Sequence, residues 1–139
     1  RLDLLLQLNA AEQALRAGEF ETAIAGYRKV LETEPDNRMA VVRTGIAYLK
    51  QNRLTQALPF LERAVALDPT QPENRFALAD ALSRTGQVKP AIEQWMETTR
   101  LQPRRVAAWS NLGAMLSQDG RLPEAREAKF LDTPRGRVA

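Results

Sequence analysis

Three prolines stand 34 positions apart in this chain: Pro35, Pro69 and Pro103. Two other sets of residues keep the same step. The alanines are Ala23, Ala57, Ala91 and Ala125, and the residues of the predicted turns are Gly18, Asn52, Gly86 and Gly120. A fixed period in this range is typical of stacked structural repeats, each of which buries its apolar face against its neighbours. The chain of 139 residues is therefore predicted to fold as a row of repeats.

Within each period, the apolar residues have the spacing of two amphipathic helices. A turn at Gly18 separates the first pair, because glycine adopts the left-handed conformation that ends a helix, and Pro35 disfavours helix at the residue before it. Thr70 with Glu73 predicts a capping box in the third period. The predicted helices are 2–17, 20–32, one from 37 or 38 to 50, 54–67, 72–85, 88–101, 106–119 and one that begins at 122.

The residues of these periods follow a known pattern. The second period contains Gly45, Tyr48, Ala57, Leu61, Ala64 and Pro69, and the fourth opens with Trp109, Leu112 and Gly113. This pattern resembles the tetratricopeptide repeat, a helix-turn-helix unit. The resemblance implies an all-α fold, a right-handed superhelical solenoid of antiparallel helix pairs. One repeat domain over 1–132 would hold repeats at 4–37, 38–71 and 72–105 and an incomplete one at 106–132.

The repeat pattern decays near the end of the chain. Lys129 stands where the earlier repeats carry Tyr27, Leu61 and Trp95. Residues 133–139 have no periodic apolar face and are predicted to be a basic tail that is disordered or left over from cloning.

Composition excludes several classes of function. The chain has no histidine and no cysteine, so it lacks the commonest general base and metal ligand as well as thiolate chemistry. A net charge of +3 is too small to indicate nucleic acid binding. No apolar run reaches the roughly 20 residues that span a bilayer, and no signal peptide is visible. We therefore expect a soluble protein, cytoplasmic or periplasmic, without catalysis, metal or cofactor.

The first helix has more leucine than one buried face can hold. Its leucines spread over much of the helix circumference: Leu2, Leu4, Leu5, Leu6 and Leu8. Either a preceding repeat or a partner chain is expected to cover the surplus, and self-association through the terminal helices is one such arrangement.

The first helix of each repeat has one packing face and one face that remains free. In the family, the free face lines a concave groove that binds partners, and the resemblance implies the same here. The predicted partner-binding residues are Met39, Val42, Arg43, Ile46, Lys50, Phe76, Asp80, Arg84 and Asn111. Arg43 and Lys50 have no acidic residue on their own helix face, so they are expected to meet an acidic group of the ligand. The pairs Glu12–Arg16 and Asp80–Arg84 are interpreted as solvated ion pairs, and Trp95 and Trp109 as core.

Three functions fit this pattern. The first is a non-catalytic module that binds a peptide segment of a partner protein in a concave groove. The second is an accessory repeat region of a larger bacterial enzyme or polysaccharide-export protein. The third is a self-assembling scaffold in which residues 2–8 dock on the incomplete fourth repeat of a neighbour.

Overall fold

The computed structural model describes residues 2–132, which form eight α-helices and no strand. The helices are α1 Leu2–Arg16, α2 Phe20–Thr33, α3 Arg38–Lys50, α4 Leu54–Leu67, α5 Pro72–Arg84, α6 Val88–Leu101, α7 Val106–Gln118 and α8 Leu122–Leu131. Every predicted helix is present, with ends within one residue of those predicted where both ends were assigned. The chain divides between Pro69 and Thr70 into two compact units, α1–α4 and α5–α8. Within each unit, every helix packs against the next one along the chain.

One left-handed residue lies between the two helices of each pair. The φ angles are +79° at Gly18, +58° at Asn52, +76° at Gly86 and +77° at Gly120. After each of these residues the next backbone N–H donates to a carbonyl five residues earlier, at 2.8 or 2.9 Å. This bond satisfies a carbonyl at the helix end that would otherwise lack a partner. Asparagine tolerates the left-handed conformation better than most other side chains, so the turn at Asn52 is equivalent to the glycine turns.

Prolines and one side-chain cap separate consecutive pairs. Helices α2, α4 and α6 each end two residues before a proline. Asn37 caps α3 by accepting a 3.0 Å hydrogen bond from the Ala40 amide. The predicted capping box of Thr70 with Glu73 is wrong, because Gln71 occupies the N-cap of α5 and makes no side-chain cap bond. Proline at the first position of α5 supplies a preset φ angle instead.

Small residues let the paired helices approach closely. Ala23, Ala57 and Ala91 are fully buried, and Ala125 nearly so. One large side chain per repeat fills the space beside each alanine: Tyr27, Leu61 and Trp95 are all at most 1% exposed. Lys129, at the same position in the fourth repeat, is exposed. The predicted packing positions and their decay in the last repeat are therefore confirmed.

Gly45 and Gly113 occupy the same repeat position but have different surroundings. A Cβ added at Gly45 would lie 2.8 Å from Leu61 Cδ2 and 3.2 Å from Phe60 Cβ. A Cβ at Gly113 would lie 3.4 Å from Lys129 Cγ and in ordinary contact with α8. Only at Gly45 does the partner helix, α4, approach so closely that a side chain would not fit.

The leucines of α1 divide into two groups. Leu4, Leu8 and Leu15 pack, partly buried, against a core cluster that includes Ala11, Tyr27 and Val30. Three others remain exposed: Leu2 at 70%, Leu5 at 56% and Leu6 at 59%. As predicted, α1 carries more leucine side chains than its packing face buries. The predicted tail, residues 133–139, lies outside the described residues.

Candidate functional site

The α3 face consists of the five residues that α3 presents away from the core: Met39, Val42, Arg43, Ile46 and Lys50. Met39, Val42, Ile46 and Lys50 follow one another at steps of three or four residues, and Arg43 lies four residues after Met39, so all five share one side of the helix. Met39 is 45% exposed, Val42, Arg43 and Ile46 are partly buried, and Lys50 is exposed. The opposite side of α3 is buried. The first unit thus brings five of the nine predicted binding residues together, with three apolar side chains beside two cations.

Arg43 has a counter-ion on α1. Its Nε lies 3.2 Å from Glu12 Oε2, and Arg16 Nε lies 3.6 Å from Glu12 Oε1. Arg43 is therefore not an unpaired cation, contrary to what the sequence of its own helix indicated. The repeat register could have identified this pair, because Glu12 and Arg43 lie in the first helices of neighbouring repeats.

Glu12 is also bonded to the core. The buried Tyr27 hydroxyl donates to Glu12 Oε2 over 2.7 Å. Burial raises the pKa of Tyr27 well above its usual range, and the hydrogen bond to the Glu12 carboxylate raises it further. Tyr27 is therefore protonated at neutral pH and remains a donor. Through its contacts with Tyr27, Arg43 and Arg16, Glu12 links α1, α2 and α3.

Lys50 differs from Arg43 in having no salt-bridge partner among the residues that the structure describes. It is exposed at the end of α3, and no carboxylate within residues 2–132 forms a salt bridge with it. The α3 face therefore has one compensated cation near its middle and one uncompensated cation at its C-terminal end.

In the second unit, Phe76 is held by its neighbours. Its ring meets Trp95 edge to face, with centroids 4.9 Å apart. The Arg105 guanidinium carbon lies 3.8 Å from the Phe76 ring centroid, and Arg105 donates to Glu73 over 2.6 Å and to Gln102 over 2.9 Å. Arg105 thus covers one face of an aromatic ring that was predicted to be open to a partner.

The other predicted residues of the second unit have different environments. Asp80 and Arg84 form a bidentate ion pair with two 3.0 Å bonds, as predicted. Asn111 is partly buried on α7. Because Asp80 compensates Arg84, the net charge that this pair offers a ligand is small.

Trp109 is not a core residue, contrary to the prediction. It is partly buried, its Nε1 donates to the Pro103 carbonyl over 2.7 Å, and its ring lines an open pocket of about 250 Å³. Met96 and Leu116 line the same pocket. Trp95, by contrast, is 1% exposed and donates to Ser83 Oγ over 2.9 Å, as expected for a core residue.

The described residues offer no metal site and no membrane span. Residues 2–132 contain no cluster of three or more acidic side chains that could hold a metal ion. None of the helices in that range has the length and apolar character needed to cross a bilayer.

Comparison with known proteins identifies the repeats. Profiles described as tetratricopeptide repeat match residues 8–72 and 48–116. Human Tetratricopeptide repeat protein 13 is 30% identical over 102 residues, which are 70% of this chain and 12% of that protein. The chain therefore spans about an eighth of that relative's length.

Solved structures show the same fold. The MamA RS-1 ArsTM double mutant matches with a TM-score of 0.89 at 25% identity, over 94% of this chain and 73% of that one. A mutant O-GlcNAc transferase from Thermobaculum terrenum matches with a TM-score of 0.70 at 29% identity, over 81% of this chain and 22% of that one. The predicted all-α solenoid of antiparallel helix pairs is confirmed. With its repeats matched from residue 8 to residue 116, the chain belongs to the tetratricopeptide repeat family, which supports a role as a protein–protein interaction scaffold.

Proposed function

We propose that this chain is a non-catalytic module that binds a peptide segment of a partner protein along the α3 face. The observation that carries the proposal is the combination of apolar side chains left outside the core with a cation that has no salt-bridge partner within residues 2–132. Met39, Val42 and Ile46 would gain free energy by desolvation, and Lys50 would meet an acidic group of the peptide. The predicted contacts of the second unit, Phe76, Asp80, Arg84 and Asn111, stay predictions.

The proposal is tested with peptides selected for binding rather than with a presumed partner. Decapeptides displayed on phage are selected on the intact chain, and each selected peptide is labelled and titrated by fluorescence anisotropy. Ile46→Asp and Lys50→Glu should each weaken binding at least about tenfold, because truncating or reversing an anchor commonly costs 2 kcal/mol or more. Far-UV circular dichroism checks that both variants remain helical.

Two matched controls lie in the same unit, away from α3. Leu5→Asp makes the same kind of change as Ile46→Asp at an exposed leucine of α1, and Lys29→Glu repeats the charge reversal on α2. Both controls should bind like the unaltered chain. If the peptides bind Ile46→Asp and Lys50→Glu with unchanged affinity, the site is not on the α3 face.

A second candidate is an accessory repeat region of a larger enzyme. It is favoured by the likeness to the Thermobaculum terrenum O-GlcNAc transferase mutant, of which this chain spans only 22%. The repeats would then present protein substrates to an attached catalytic part. The full coding sequence around this chain decides between the candidates, since the second one requires a catalytic domain there.

Self-association is a third candidate, supported by the exposed side chains of Leu2, Leu5 and Leu6. Light scattering at several concentrations tests it: Leu5→Asp should shift a self-associating chain toward the monomer. A monomeric mass at every concentration would remove this candidate.

A further inference from the structure

We propose that a pocket beside Trp109 binds an aromatic side chain of a partner protein that has a basic residue next to it. The Trp109 pocket has a volume of about 250 Å³, and its apolar walls include Met96 of α6, Trp109 and Leu116 of α7, and Ala128 of α8. This site goes beyond the proposed function, because it lies in the second unit and shares no residue with the α3 face.

Another repeat fills the equivalent place with one of its own side chains. Ala128 stands two 34-residue periods after Phe60. A Cβ added at Gly45 would lie 3.2 Å from Phe60 Cβ, and one added at Gly113 would lie 3.8 Å from Ala128 Cβ, so both residues face the paired helix in the same way. In the second repeat, a phenyl ring continues from that Cβ and lies beside Tyr48, with the ring centroids 5.9 Å apart.

The fourth repeat leaves this place open. Its own side chain there is only the methyl group of Ala128, and Leu116 stands in place of Tyr48. In the third repeat, the equivalent residue is Gln94, which accepts a 3.0 Å hydrogen bond from Arg75. An apolar cavity of about 150 Å³ is large enough to bind benzene. The Trp109 pocket therefore has room for a phenyl ring supplied by another molecule.

Trp109 gives the pocket a fixed aromatic wall. Its Nε1 donates to the Pro103 carbonyl over 2.7 Å, which holds the indole in place while its ring lines the pocket. Met96, which is 50% exposed, brings a thioether to the same pocket. An aromatic side chain can pack edge to face or offset against the indole and can contact the Met96 sulfur, and an aliphatic side chain gains neither interaction.

The charges at the pocket favour a basic neighbour for this aromatic side chain. Arg121, Glu124 and Glu127 also line the pocket. Arg121 donates to Glu124 through Nε over 2.8 Å, so these two charges compensate each other. Glu127 is exposed and forms no salt bridge with any residue of 2–132. A lysine or arginine adjacent to the bound aromatic residue would therefore meet an uncompensated carboxylate.

Proton–nitrogen correlation NMR of the intact chain reads this site directly, because the chain has two tryptophans and only Trp109 lines the pocket. The probe is the peptide acetyl-Gly-Phe-Lys-Gly-amide, and two comparison peptides carry Ala in place of Phe or Glu in place of Lys. The probe should shift the Trp109 indole signal in a saturable way and leave the signal of the buried Trp95 unchanged.

The comparison peptides measure the two parts of the proposal. Ala in place of Phe should weaken binding at least about tenfold, since the ring supplies most of the apolar area that binding buries. Glu in place of Lys should weaken binding about two- to fivefold, the range expected for an exposed charge pair.

The variant Ala128→Phe supplies the ring from within the chain, as Phe60 does in the second repeat. It should abolish binding of the probe and leave the urea midpoint unchanged or raised, because the new ring enters space that is open. The matched control is Ala125→Phe. Ala125 is 3% exposed, and its carbonyl oxygen would lie 3.6 Å from a Cβ at Gly113, so the same ring should lower the urea midpoint there by overpacking.

The exposed Glu127 provides a second variant that does not touch the core. Glu127→Lys should bind the Phe-Glu peptide more tightly than the Phe-Lys probe, which reverses the preference of the unaltered chain. Glu62→Lys makes the same change at an exposed carboxylate of α4 and should keep the original preference.

Three results would overturn the inference: a Trp109 signal that the probe leaves unmoved, an Ala peptide that binds as well as the probe, or binding that survives in folded Ala128→Phe. An unchanged preference in Glu127→Lys would overturn the assignment of a basic neighbour. The α3 face is tested with other peptides and other variants, so its outcome is independent of these.

Discussion

Replacing Gly45 and Gly113 with alanine should change stability in opposite directions, although the two glycines share one repeat position. In a helix interior, Gly→Ala stabilises by about 0.5–1 kcal/mol, because glycine has more backbone freedom to lose on folding. Gly113→Ala should realise this gain, since the nearest atom to the new methyl group would be Cγ of the exposed Lys129 side chain at 3.4 Å.

At Gly45 the same methyl group meets atoms that cannot move easily. Leu61 Cδ2 would be 2.8 Å away, in a side chain that is 1% exposed, and Phe60 Cβ would be 3.2 Å away, next to the backbone. Overpacking of this kind costs about 1–3 kcal/mol. After the gain in helix propensity is subtracted, Gly45→Ala should destabilise the chain by about 0–2.5 kcal/mol.

Urea denaturation followed by far-UV circular dichroism measures both variants beside the unaltered chain. The expected order of stability is Gly113→Ala, then the unaltered chain, then Gly45→Ala. If Gly45→Ala stabilises as much as Gly113→Ala, the close approach of α4 to α3 at this point would be refuted. Because the chain has two compact units, the urea midpoint of each resolved transition is compared separately.

Three other substitutions test separate features. Ala57→Leu should destabilise by about 1–3 kcal/mol in the same urea assay, because Ala57 is fully buried between paired helices; an unchanged midpoint would contradict this. Arg105→Ala should cost about 1 kcal/mol through loss of its stacking on Phe76, and Arg105→Lys should recover only part of it. Gln51→Leu should raise the pKa of Glu21 toward its ordinary value in an NMR titration, because the Gln51 hydrogen bond is the largest cause of its lowered pKa, ahead of Arg53. A lowered pKa stabilises the fold above the unfolded-state value, and this contribution disappears as pH falls through the folded-state value. The melting temperature of Gln51→Leu should therefore lie below that of the unaltered chain at neutral pH, and the difference should vanish in acid.

Helix boundaries were predictable because their signals are local. A left-handed glycine or Asn52 ends the first helix of a pair, and a proline two residues beyond the second helix prevents its continuation. Each of these signals acts on a helix end no more than five residues away along the chain, so it can be identified from the sequence alone. The predicted capping box is the exception among these local signals. It does not form, and Glu73 instead bonds to Arg105, which is 32 residues away.

The candidate site was harder to predict because its properties depend on neighbouring helices. The side chains of the α3 face were correctly separated from the packing positions by helical periodicity. The counter-ion of Arg43, however, comes from α1, and the ring of Phe76 is covered by a residue that precedes α7. Such contacts depend on side-chain rotamers across an interface, which a periodic pattern does not specify. Trp109 was misassigned for a related reason, since a packing position is buried only where another helix covers it.

The contacts between repeats also bear on how this chain acquires its structure. Within each unit, the packed helices are neighbours along the chain, and the ion pairs Arg53–Glu21 and Arg105–Glu73 each span 32 residues. Contacts of such short sequence separation are typical of chains that fold in microseconds to milliseconds. During synthesis, each helix could therefore pack as soon as the next one has left the ribosome. The α1–α4 unit would not have to remain exposed to proteases or aggregation until the last residue is added.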